Sequence, residues 1–136
     1  MSQRDKAREL VRELEFSLRT VANQEEIVSV LDSAAAAAAH GGLRGTIRRV
    51  GLQDRPGGFV TDWEIRGLGG IVKGMTFKVT GTGDAGGVTT LAMAIQNYFF
   101  TKGSMFSKPT INNDKEMRKF AHIVTSQLTA KPEETT

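Results

Sequence analysis

The sequence predicts an α+β domain in which an antiparallel sheet of about five strands packs against one long C-terminal helix. Apolar and β-branched runs fill the middle of the chain: Leu43 to Leu52, Gly58 to Leu68, Ile71 to Thr80 and Val88 to Phe100. The 15 glycines fall mostly between these runs, as the punctuation of a hairpin meander. The chain then closes on a helix over Asp114–Leu128, where Met117, Phe120, Ala121, Val124 and Leu128 form one apolar stripe.

Each element has a local reason. From Arg4 to Glu15, Ala7, Leu10, Val11 and Leu14 recur at i, i+3, i+4 and i+7, which is helical spacing. Phe16 to Ala22 alternates and reads as a short strand. Asn23 followed by Glu26 has capping-box spacing, and Ile27, Val30, Leu31 and Ala34 continue as a helical stripe. The alanines from Ala34 to Ala39 extend that helix and are small enough to let another backbone come close; His40-Gly41-Gly42 ends it. A turn over Asp54–Gly58 joins the first two strands of the meander. In the second strand Phe59, Thr61, Trp63 and Ile65 share one face, and Val60, Asp62, Glu64 and Arg66 the other. In the third, Met75, Phe77 and Val79 alternate with Thr76, Lys78 and Thr80. The expected organisation is a charged N-terminal helix over 1–15, a single domain over 16–130 and a disordered tail over 131–136.

Composition narrows the function classes. With 136 residues, 39% hydrophobic and 24% charged, the chain is sized for one globular domain. It has no cysteine, which excludes disulfides, thiol nucleophiles and thiolate metal sites. The apolar stretches are too short to span a bilayer, so no membrane insertion is expected. The opening MSQRDKAREL lacks the apolar core of a secretory signal, and the expected location is cytoplasmic. Net charge is +3, and residues 43–80 hold seven Lys/Arg against three Asp/Glu. That surplus suits the solvated outer face of a sheet better than a nucleic-acid surface.

The stretch FSLRTVANQEEIVSVLDSAAA, from Phe16 to Ala36, resembles the opening of START-related helix-grip (SRPBCC) proteins, the superfamily of polyketide cyclases and small-ligand carriers. The ending, AIQNYFFTKGSMF followed by NNDKEMRKFAHIVTSQL, is similar to that superfamily's last strand, loop and gripping helix. The likeness covers residues 15–130 and rests on hydrophobic patterns. The chain departs from the family by having one helix and four strands between the first strand and the last helix, where two short helices and six strands are usual. The resemblance therefore implies a reduced version of the fold that binds an apolar small molecule beneath its last helix, in a cavity that is shallower, open, or covered by a second chain.

Several constellations offer chemistry. GTGDAG at Gly81–Gly86 fits G-x-G-x-x-G, but a dinucleotide site also needs a second parallel strand with an acidic residue, and none follows. His40 and His122 lack neighbours at metal-ligand spacing, so no metal and no cofactor is expected. Asp62 and Glu64 share a strand face, which reads as an outward, salt-bridged surface rather than an acid/base pair. Arg44, Arg48, Arg49 and Arg66 with Trp63 form a basic stripe of the kind that holds single strands, a minor reading with one Trp and one Tyr in the chain. No catalytic residue can be nominated. Trp63, Met75, Phe77 and Tyr98 belong on the concave side of the sheet, opposite Met117 and Phe120 of the helix, as the candidate ligand-binding set. Core packing without a cavity accounts for the same residues. The leading functional reading is thus binding of an apolar small molecule. The alternative is a structural module that forms a homodimer or binds another protein, with no ligand pocket.

Overall fold

The computed structural model describes residues 2–39, 45–67, 72–105 and 107–129. The fold is the α+β arrangement expected: α1 (Gln3–Leu14), β1 (Phe16–Thr20), α2 (Gln24–Ala38), β2 (Thr46–Arg55), β3 (Gly58–Gly67), β4 (Val72–Gly83), β5 (Thr89–Tyr98), β6 (Phe100–Thr101), β7 (Thr110–Ile111) and α3 (Asp114–Leu128). Strands β1 to β5 form one antiparallel sheet in the order β1-β5-β4-β3-β2, and β6 pairs with β7 in a separate small ladder. The first strand is thus brought in beside the last long one, while β2 to β5 run as a meander.

Helix α2 starts as its sequence dictates. The Asn23 side chain accepts from the Glu26 amide at 2.8 Å, and Glu26 accepts from the Asn23 amide at 3.1 Å. Asn23→Ala is expected to lower the unfolding free energy by about 1 kcal/mol, whereas Asn23→Asp keeps the acceptor and stays near wild type. Urea unfolding of the two variants checks this; equal losses would mean that the box contributes nothing. The expected helix stop at His40-Gly41-Gly42 lies outside the described residues.

The β2–β3 turn is set by Pro56, which fixes its own φ, and by Gly57, whose φ of 77° is what the third position of a type II turn requires. The glycine-rich segment after β4 is a hairpin loop. The Asp84 amide bonds to the Val88 carbonyl at 2.9 Å, and Gly87 takes φ 82°. Antiparallel pairing of β4 with β5 on either side removes the strand–loop–helix setting that a G-x-G-x-x-G phosphate site needs.

One core lies between the sheet and the helices. Leu18, Phe59, Trp63, Ile65, Met75, Phe77, Val79, Leu91 and Met93 point into it from the strands, and Ile27, Leu31, Met117, Phe120, Val124 and Leu128 from α2 and α3. Ala34, Ala35 and Ala38 are buried on α2, which packs against α3 and β2. Ala7, Val11 and Leu14 bury the stripe of α1 in the same core, so this helix is spent inside its own chain. Among the described residues no helix is long and apolar enough to cross a membrane.

Both sheet edges are blunted. On β2 an extra residue at Val50 breaks the register with β3, and Arg48, Arg49, Asp54 and Arg55 add charge along the strand. Beyond the end of β1, the Glu15 carboxylate accepts from the Ile95 amide at 2.7 Å and covers part of the β5 edge.

Candidate functional site

The structure brings five of the six nominated residues together between the sheet and α3. Trp63 and Phe77, opposite each other on β3 and β4, stack with ring centroids 5.9 Å apart and planes inclined by 6°. Phe120 closes over both, 5.6 Å from Trp63 and 5.3 Å from Phe77, in tilted and edge-on geometry. These separations lie within the range of favourable aromatic pairs. Met75 and Met117 are buried beside them. Tyr98 pairs in register with Met75 and is only half-buried, at the margin of the core.

The polar tip of Trp63 is directed inward. Its Nε1–H donates to Thr61 Oγ1 at 2.8 Å, and the Thr61 hydroxyl donates to the Val79 carbonyl at 3.1 Å. Thr61 is completely buried, so this short chain of bonds satisfies the indole within the sheet. The arrangement can rigidify a core; it leaves the one Trp donor of the molecule no free valence for a ligand.

A groove of about 160 Å³ lies elsewhere, between α1, α3 and the segment leading into β7. Leu10, Leu14, Pro109 and Ile111 give it an apolar floor, and Lys108 and Arg118 flank it. Arg118 pairs with Asp114 at 3.8 Å.

The charged candidates settle on the other face of the sheet or at its margin. Glu64 accepts from Arg66 Nε at 2.9 Å and faces Arg48 at 3.6 Å; Asp62 faces Lys78 at 3.8 Å. The two carboxylates are therefore an ion-paired surface. Arg48 and Arg66 lie opposite the face that carries Trp63, which takes apart the basic stripe with an aromatic platform. Arg49 points the other way and forms a two-pronged pair with Asp32 of α2, at 3.0 and 3.1 Å. That bond holds its guanidinium pKa above the ordinary arginine value. Arg44 and His40 lie outside the described residues, and His122 is exposed on α3. Among the described residues no three His, Cys, Asp or Glu side chains are grouped to hold a metal ion.

Asp84 has a local role. Its carboxylate accepts from the Gly86 and Val88 amides at 2.8 and 3.0 Å, and these bonds hold its pKa below the ordinary aspartate value. A depressed pKa stabilises the fold above the unfolded-state value of about 3.9, and the contribution fades as pH falls through the folded value. The Tm difference between wild type and Asp84→Asn is therefore expected to be largest near pH 5–7 and to shrink toward pH 2. A difference constant across that window would exclude the ionised carboxylate as its source.

One surface was not apparent from the sequence. The outer face of the sheet, away from all three helices, carries an uncharged row that crosses all five strands: Ser17, Ala92, Thr80, Val60 and Gln53 are successive cross-strand partners. Val60 is buried there among its neighbours and is not part of the core. Thr82 and Thr90 lie on one side of the row, and Ala94, Lys78 and Asp62 on the other. Such a row has a sequence signal, in that the off-core positions Thr76, Thr80, Thr82, Thr90, Ala92 and Ala94 are Thr and Ala, with Lys78 the charged exception, where a solvated face would carry charges throughout.

No protein-family model matches this chain, and no curated protein or solved structure does.

Proposed function

We propose that this chain is a structural, protein-binding module with a filled core, whose working surface is the open face of the sheet. The observation that carries this reading is the mutual packing of Trp63, Phe77 and Phe120, with the Trp63 donor bonded to Thr61. The surfaces an apolar ligand would touch are already in contact with one another. A carrier in a helix-grip cavity, the other reading, needs those rings to face empty space. The edges are blunted and α1 is used internally, which leaves the broad face of the sheet for a partner.

The test is the intact mass of freshly purified protein under native and then denaturing conditions, with thermal melts in the presence of fatty acids, a sterol and indole. The expected result is a native mass without small-molecule adduct and melts unmoved by the panel. An apolar adduct retained only in the native spectrum, or a ligand that raises Tm by several degrees, overturns the filled-core reading in favour of a carrier.

A further inference from the structure

We propose that Met105 is a reversible oxidation site, at which a hydroperoxide converts the thioether to the sulfoxide while the core methionines stay intact and the fold is kept. The site lies between β6 and β7 and does not depend on what the open face of the sheet binds.

Exposure sets this methionine apart. Met75, Met93 and Met117 are 1%, 3% and 0% exposed, whereas Met105 is 91% exposed. Met1 lies outside the described residues. Hydrogen peroxide reaches sulfur from water, so a core thioether reacts only when the structure around it opens. Met105 Sδ meets the oxidant in the folded state. Its lone pair attacks one peroxide oxygen, the O–O bond breaks, and the departing hydroxide takes up the proton of the new S–OH group. One thioether and one hydrogen peroxide thus give one sulfoxide and one water; sulfur loses two electrons and the peroxide gains them.

The chain holds this side chain outward without drawing on it for stability. The Ser104 amide donates to Ser107 Oγ at 2.8 Å, the Ser107 amide donates to the Ser104 carbonyl at 3.3 Å, and the two hydroxyls lie 3.0 Å apart. These bonds close a tight turn with Met105 inside it. At the base of the turn the Gly103 amide donates to Gln3 Oε1 of α1 at 2.9 Å, and a side chain on Gly103 would run into the Ser107 and Lys108 backbone. No bond in this set uses the Met105 thioether. A sulfoxide is polar, and at Met75 or Met117 its oxygen would be buried without a donor beside aromatic rings. At Met105 the same oxygen projects into water, so the fold loses little. The exposure that admits the oxidant also admits a sulfoxide reductase, which makes the change reversible.

The full chain is treated with hydrogen peroxide at neutral pH, quenched over a time course and digested with trypsin. The five methionines fall in five separate peptides, residues 1–4, 74–78, 79–102, 103–115 and 116–118, so mass spectrometry reads each site alone. Peptide 103–115 is expected to gain one oxygen at least ~100-fold faster than 74–78, 79–102 and 116–118, and the difference is expected to vanish in unfolding urea. Protein oxidised once, at Met105, is expected to keep its Tm within about 2 °C, as Met105→Leu does. A pair of methionine sulfoxide reductases, one for each epimer, is expected to restore the unmodified mass. If peptide 103–115 reacts more slowly in the native chain than in urea by the same factor as the core peptides, Met105 is covered and the site is overturned. Native uptake at 74–78 and 116–118 as fast as at 103–115 removes the selectivity, and the filled-core reading with it; slow uptake at all three core peptides leaves that reading standing whatever happens at Met105. A larger fall in Tm on single oxidation, or a sulfoxide that the reductases leave in place, overturns a reversible change that the fold tolerates.

Discussion

Phe120→Ala is expected to lower the unfolding free energy by about 3–5 kcal/mol, the range for truncating a fully buried aromatic in a core that cannot collapse around the gap. Phe120 is the ring from α3 that touches both Trp63 and Phe77, so its removal uncouples the last helix from the middle of the sheet. Against a total of about 5–15 kcal/mol for an ordinary domain, such a loss brings the protein close to unfolding at room temperature. Urea unfolding measures it. The vacated space is apolar and ring-sized, so benzene is expected to raise the Tm of Phe120→Ala and leave wild type unmoved. The variant also separates the two functional readings. A loss below about 1 kcal/mol would mean that Phe120 borders unfilled space, and the carrier reading would return.

The elements best anticipated from sequence are those with a local cause. Helix α3 runs over Asp114–Leu128 as its stripe predicts, and the Asn23/Glu26 capping box forms as its spacing demands. Strand pairing was legible from the alternation in β3 and β4, which placed Trp63 and Phe77 on one face and so beneath the helix. What escaped has a tertiary cause. The expected strand Leu43 to Leu52 is observed as Thr46–Arg55 with an extra residue at Val50, and that bulge fixes which arginines face inward. Arg49 turns toward α2 because Asp32 awaits it there, a partner 17 residues away that no local pattern reveals. The strand Val88 to Phe100 divides into β5 and the short β6, which pairs with β7 inside what reads as a loop rich in Gly, Ser and Lys. The open face was missed for a different reason. Its Thr, Ala and Ser residues are ordinary for a strand one at a time, and only the register of five strands lines them into a row.

Thr61→Val is expected to cost about 1–3 kcal/mol although it keeps shape and volume, because it leaves the buried Trp63 Nε1–H without an acceptor. Thr61 lies on the same strand face as Trp63, two residues before it, so one residue type both fills the core and answers its polar atom. Thr61→Ser retains the hydroxyl and is expected to lose only about 1 kcal/mol, from the missing methyl. Trp63→Phe removes the donor itself. In that background Thr61→Val is expected to cost at least about 1 kcal/mol less than in wild type, the mark of a coupled pair in a double-mutant cycle. Strict additivity, or equal losses for Val and Ser, would show that the bond carries no stability. Trp63 is the only tryptophan of the chain, so its emission reports the same event directly. If the indole is held in a filled core, its environment should change with Thr61→Val and stay indifferent to apolar additives. If a cavity lies beside it, the additives will move the emission in wild type as well, and the function of this fold must be sought beneath α3 instead of on the open face of its sheet.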